Sequence, residues 1–119
     1  MAFVTAGQLF SCVAGEDLTG NDNLFHKLNS SGDWIKAGVG DRGWALQNVG
    51  ASGVACFAPA YGYVQVKSGA AINPGDPLAS NSAGKAVVAV TSDHVNGIAL
   101  SAAGGADVLV WMQIASYKL

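Results

Sequence analysis

Ala14-Gly-Glu-Asp-Leu-Thr-Gly-Asn-Asp-Asn-Leu24 and Ser68-Gly-Ala-Ala-Ile-Asn-Pro-Gly-Asp-Pro-Leu78 carry one pattern twice, about 54 residues apart. Gly15 meets Gly69, Leu18 meets Ile72, Asp22 meets Asp76 and Leu24 meets Leu78. A two-residue slip then lays Ser31-Gly-Asp-Trp-Ile35 over Ala83-Gly-Lys-Ala-Val87. The first interval returns afterwards: Gly43-Trp-Ala-Leu46 covers Gly97-Ile-Ala-Leu100, and Val54-Ala-Cys-Phe57 covers Val108-Leu-Val-Trp111. A unit this short cannot bury an apolar face by itself, so two copies must pack on each other.

The segments between the turns have the period of strands. Tyr63-Val-Gln-Val-Lys67, Ala86-Val-Val-Ala-Val-Thr91 and Val108-Leu-Val-Trp-Met-Gln-Ile114 alternate or run apolar over strand lengths, as do Leu9-Phe-Ser-Cys-Val13 and Val54-Ala-Cys-Phe57. No helical stripe is sustained; the stretch from Asp22 to Leu28 could make one turn of helix before Gly32 ends it. The expected fold is all-β: a small antiparallel barrel or β-clip-like sandwich of two pseudo-repeated lobes. Pro59 and Ala60-Tyr-Gly-Tyr63 join the lobes and are too short for a flexible linker. Residues 1–119 are therefore expected to form a single domain, with an N-terminal arm at 1–8, lobe one at about 9–58 and lobe two at about 62–114.

Turn chemistry agrees with that division. Asn73-Pro-Gly-Asp76 places Pro and Gly at the central positions of a type II turn, where Gly supplies the positive φ. Ser30-Ser-Gly-Asp33 and Ser82-Ala-Gly-Lys85 read as hairpin tips. Pro77 lacks an N–H and belongs at a strand start or on an edge.

Half of the 119 residues are apolar and only 12% are charged, against roughly a quarter in an average soluble domain. So few charges suit a surface largely covered by other protein. The net charge is −2, with Arg42 as the one arginine and five scattered lysines, so no basic stripe is present to neutralise phosphates. Nucleic acid is not an expected partner. A membrane is not expected either, since no apolar run approaches the roughly 18–20 residues of a spanning helix. The first ten residues lack the basic region of a signal peptide. Cys12 and Cys56 have no CxxC or Cys/His company, and their small apolar neighbours suit buried free thiols made in a reducing cytoplasm.

Each candidate for chemistry has a simpler reading. Asp93-His94 could serve a serine nucleophile, but it lies in polar turn sequence and no Gly-x-Ser-x-Gly elbow accompanies it. His26 and His94 are two widely spaced histidines without a third ligand, which is thin for zinc. Glu16, Asp17 and Asp22 could offer oxygen to calcium, yet their spacing departs from an EF-hand loop and fits turn chemistry. Gly38-Val-Gly-Asp-Arg-Gly43 lacks the Lys-Ser/Thr of a phosphate loop. No catalytic residue, metal site or cofactor is assigned, and an enzyme is not expected. Trp111 reads as core. Trp34 and Trp44 fall where the second half has Ala86 and Ile98; core placement suits them, and so does service as aromatic interface anchors.

The series Gly69-Ala-Ala-Ile-Asn-Pro-Gly-Asp-Pro-Leu78, Gly84-Lys-Ala-Val87, Gly97-Ile-Ala-Leu-Ser-Ala-Ala103 and Val108-Leu-Val110 resembles the small capsid decoration, or cement, proteins of tailed bacteriophages. The resemblance covers roughly residues 64 to 114; the Trp-containing N-terminal half matches only through the repeat. It implies a compact barrel or β-clip-like fold on the outer face of a phage head. Such a protein binds the major capsid protein and itself, as a homotrimer, and reaches the virion exterior after synthesis in the host cytoplasm. The expected interface residues are Phe3, Val4, Leu9, Trp34 and Trp44, with the arm adding a strand to an open edge. Two other classes compete: another phage structural subunit, such as a tail tube or fibre base, and a lipoyl- or biotinyl-type carrier suggested by Gly75-Asp-Pro-Leu78 and Lys85. The carrier reading is the weaker, because Gly84-Lys-Ala86 does not supply the flanking residues that such a lysine needs.

Overall fold

The computed structural model describes residues 9–119 and is all-β, without a helix among them. Ten strands follow one another: β1 (Leu9–Val13), β2 (Leu24–Leu28), β3 (Trp34–Lys36), β4 (Trp44–Leu46), β5 (Ala55–Pro59), β6 (Tyr63–Lys67), β7 (Pro77–Ser80), β8 (Ala86–Val88), β9 (His94–Ala99) and β10 (Leu109–Lys118). They form three antiparallel sheets ordered β1-β5, β3-β2-β4 and β6-β10-β9-β7-β8. Among the described residues the sheets close no barrel; they stack as a sandwich.

The repeat seen in the sequence recurs as hydrogen bonding. β1 pairs with β5 from Leu9↔Pro59 to Val13↔Ala55, and β6 pairs with β10 from Tyr63↔Gln113 to Lys67↔Leu109. A parallel bridge joins Ala14 to Trp34, and its counterpart joins Ser68 to Ala86. Gly53 donates to the Ala14 carbonyl as Asp107 donates to that of Ser68, and both donors have positive φ. The Asn73–Asp76 turn forms as its sequence requires: Gly75 has φ 91° and Asp76 N–H donates to the Asn73 carbonyl at 3.1 Å. Pro77 opens β7, as expected for a residue without a donor.

Written in matching order, the first half reads β1-β5, then β4-β2-β3, while the second reads β6-β10-β9-β7-β8. The strand order is the same, but the ladder is interrupted between β5 and β4. Phe10, Trp34 and Trp44 interlock beside that gap, with ring centroids 5.6–5.7 Å apart. Val64, Ala86 and Ile98 hold the corresponding places in the second half, where five strands run without a break. The larger rings therefore fill the space that opens between β4 and the β1-β5 pair.

The central three-stranded sheet is covered on both faces. Phe25 and Ala45 pack with Val64, Val66, Leu78 and Met112 of the five-stranded sheet. Trp34 and Leu46 pack on the other side with Cys56 and Ala58 of the two-stranded sheet. This arrangement corrects the expectation of helix near residues 22–28. Leu24-Phe-His-Lys-Leu28 is a central strand paired on both edges, with Leu24, Phe25 and His26 all buried. Burial of both faces removes the alternation by which strands are recognised.

Candidate assembly surface

Two-stranded pairing gives β1-β5 and β6-β10 one inward and one outward face each. Cys12, Cys56 and Ala58 point inward in the first pair, as do Val64, Val66, Val110 and Met112 in the second. Leu9, Ser11, Val13, Ala55 and Phe57 are left outside in lobe one. Leu9 is 57% exposed and Phe57 is 55% exposed. The matching outer positions of lobe two hold Tyr63, Gln65, Lys67, Leu109, Trp111 and Gln113, with Tyr63 46% and Trp111 38% exposed.

Leu9 corresponds to Tyr63, and Phe57 to Trp111, so the repeat presents an apolar patch at the same place in each lobe. Tyr63 and Trp111 also line a shallow depression with Leu100 and Ser101. Ser101 Oγ accepts the Trp111 N–H at 2.9 Å, which fixes the loop against the strand. Lys67 is the single charged side chain on these two outward faces, so covering them desolvates almost no charge. Large exposed aromatics on a charge-poor face are suited to anchoring another protein.

The expected interface residues divide. Leu9 lies on the outward face. Trp34 does not: it is fully buried and its Nε1–H donates to the Cys56 carbonyl at 3.1 Å, so it binds lobe one together internally. Trp44 is half-buried, in T-shaped contact with Trp34 and Phe10 and with the Arg42 guanidinium 5.1 Å from the centre of its ring. Phe3, Val4 and the rest of the arm lie outside the described residues. Trp111, expected in the core, faces outward, because Val110 and Met112 on either side of it take the inward positions. Phe57, Tyr63 and Leu109 are not among the interface residues expected from the sequence. The signal that finds them is the alternation of β5, β6 and β10, once the buried side of each strand is known.

The strand edges differ as well. β1 has no ladder partner on its outer side among the described residues. At β6, Gln47 donates to the Gln65 carbonyl at 2.8 Å, and Lys67 N–H donates to Asn23 at 2.8 Å, so lobe one covers that edge. An added strand would find β1 the more open of the two.

The polar candidates are engaged in local structure. Asp93 accepts the Val90 N–H, while His94 Nε2 meets Ser116 Oγ at 2.7 Å, so the carboxylate does not orient the imidazole. Asp17 accepts from both the N–H and the hydroxyl of Thr19, bonds that hold its pKa below the usual carboxylate value. Asp22 accepts from Val49, and Glu16 from Lys36. His26 is fully buried; its Nδ1 is 2.9 Å from the Leu24 carbonyl and its Nε2 has no partner. Burial pushes its pKa down. Among the described residues no three His, Cys, Asp or Glu side chains converge as metal ligands do. Cys12 and Cys56 face each other across β1-β5 as free thiols.

No protein-family model matches the chain, and no curated protein does. Among solved structures it is similar to the head fiber gp8.5 N base of bacteriophage phi29, with a TM-score of 0.66 at 23% identity. The match covers 94% of this chain and 97% of that one, so the whole fold is shared.

Proposed function

We propose that this chain is a structural protein of a tailed-phage virion that sits on the outside of the head. It binds the major capsid protein and further copies of itself, as a homotrimer, and its work is mechanical rather than catalytic. The observation that carries this reading is the end-to-end fold likeness to a head fiber base. The decoration-protein resemblance of residues 64–114 points to the same compartment. The outward faces give a physical means. Leu9, Val13 and Phe57 in lobe one, with Tyr63, Leu109 and Trp111 in lobe two, are apolar, exposed and nearly free of charge.

Within that reading the chain is either a decoration protein complete in itself or the seat of a fibre. The neighbour's description as a fiber base favours the second at least as strongly. A tail-tube subunit and a modified carrier domain have no such support. Co-sedimentation with purified heads tests the proposal. The intact chain is expected to pellet with heads at a fixed ratio, and Phe57→Ser with Trp111→Ser is expected to lose binding or trimerisation without loss of fold. A chain that stays in the supernatant at every concentration would overturn it.

A further inference from the structure

A second surface has the opposite chemistry. The Gly40–Gly43 loop of lobe one is fastened onto β9 of lobe two. His94 N–H donates to the Gly40 carbonyl at 3.1 Å; Asn96 Nδ2 donates to the Asp41 carbonyl at 3.1 Å, and Asn96 Oδ1 accepts the Gly43 N–H at 2.9 Å. Arg42 is thereby carried to the face on which His94 stands, its guanidinium resting over the Trp44 ring. Across the ladder Lys118 is the direct partner of His94, and the irregularity between Ile114 and Tyr117 turns Ser116 onto His94 Nε2.

Arg42, His94 and Lys118 are three of the eight basic side chains, counting six lysines and arginines and two histidines, in a chain of net charge −2. Neither Arg42 nor Lys118 has a carboxylate within ion-pair distance among the described residues; the ion pairs there are Lys27–Asp41 and Lys85–Asp107. Asp41 pairs with Lys27 and accepts the Gly38 N–H, while Asp93 accepts the Val90 N–H and keeps its own charge beside His94. Residues 1–8 contain no Asp or Glu. Burial, then Arg42, then Lys118 push the His94 pKa down, which places both cations close to the ring.

We infer that Arg42, Lys118, His94 and Ser116 form a docking site for an acidic segment of a partner protein. A guanidinium held over an indole presents its fork to a carboxylate. Lys118 supplies a second charge, and the Ser116–His94 pair supplies hydrogen-bond donors between them. Two cations, with the neutral imidazole and the serine hydroxyl beside them, suit two neighbouring carboxylates. They are too few, on a chain of net negative charge, to follow a nucleic-acid backbone. The site is distinct from the apolar outward faces, and the inference stands whether or not the chain belongs on a phage head.

The test is an amide and side-chain NMR titration of the whole chain with a hexaglutamate peptide. Inorganic phosphate and a ten-residue oligothymidylate are run beside it at equal ionic strength. Shifts are expected to gather at Arg42, His94, Ser116 and Lys118. Affinity is expected to fall about tenfold in the double variant Arg42→Gln, Lys118→Gln, whose fold is unaltered by circular dichroism. Shifts spread evenly over Lys27, Lys36, Lys67 and Lys85, or an unweakened double variant, would overturn the site. Phosphate or oligothymidylate binding as tightly as the peptide would overturn the assignment of its partner.

Discussion

Asn29 and Asn81 hold the same place in the two halves of the molecule. Asn29 Oδ1 accepts the N–H groups of Ser31 and Asp33 at 2.9 and 3.0 Å, and Asn81 Oδ1 accepts those of Ala83 and Lys85 at 2.8 and 2.9 Å. Each asparagine N–H closes its hairpin onto Asp33 or Lys85, and Gly32 and Gly84 take positive φ inside the tips. Replacing either with Ala removes two side-chain bonds and is expected to cost about 1–2 kcal/mol. The tips share no hydrogen-bond partner, so urea unfolding of the double variant should give nearly the sum of the two costs.

A second matched pair has unequal residues. Gly40 and Ser92 sit third in equivalent turns, in which Asp41 accepts from Gly38 and Asp93 accepts from Val90. Their φ values are 68° and 82°. Serine carries a strain there that glycine does not, so Ser92→Gly is expected to raise stability by about 1 kcal/mol. Gly40→Ser should lower it, since a Cβ at that site would lie 2.7 Å from Asp93 Oδ1. Thermal unfolding of both variants checks the opposite signs.

The tryptophans should separate structure from assembly. Trp34→Ala empties a fully buried site and removes the indole bond to the Cys56 carbonyl, at an expected cost of about 3–5 kcal/mol. Trp111→Ala removes a ring from the outward face and should change stability by about 1 kcal/mol or less. Its effect is expected instead in the sedimentation profile, as weakened self-association.

His26 gives the fold an acid limit. Its folded pKa is lowered by burial, outweighing the Leu24 carbonyl and the more distant Glu16 and Asp22, with Lys36 acting in the same direction as burial. The unfolded chain then binds more protons below its own pKa of about 6.5, so stability is present above that pH and is lost as pH falls through it. The loss levels off below the folded pKa. Melting temperatures between about pH 7.5 and 5 should decline in the wild type and decline less in His26→Leu.

The repeat was legible because backbone geometry dictates residue type at turns. Positions needing positive φ or a short side-chain acceptor drew Gly, Asn and Asp in both halves, and these survive as matches even where the strands diverge. The break between β5 and β4 was not legible, since a hydrophobic pattern does not weigh the volumes of Phe10, Trp34 and Trp44, which interlock beside it. β2 was misread because Leu24, Phe25 and His26 are buried on both faces of a central sheet. Trp111 was misplaced because β10 is apolar on both faces over Val108–Met112, and alternation alone does not say which face is inward. The Arg42–His94–Lys118 cluster was hidden for another reason. Its members lie far apart in the chain and meet only because Asn96 fastens the loop of one lobe to a strand of the other.

Cryo-electron microscopy of virions made with and without this chain tests the central claim most directly. The account predicts trimeric density on the outer head surface that is present only when the chain is made, either ending there or rising into a fibre. Density confined to the tail, or heads that are identical in both preparations, would contradict it.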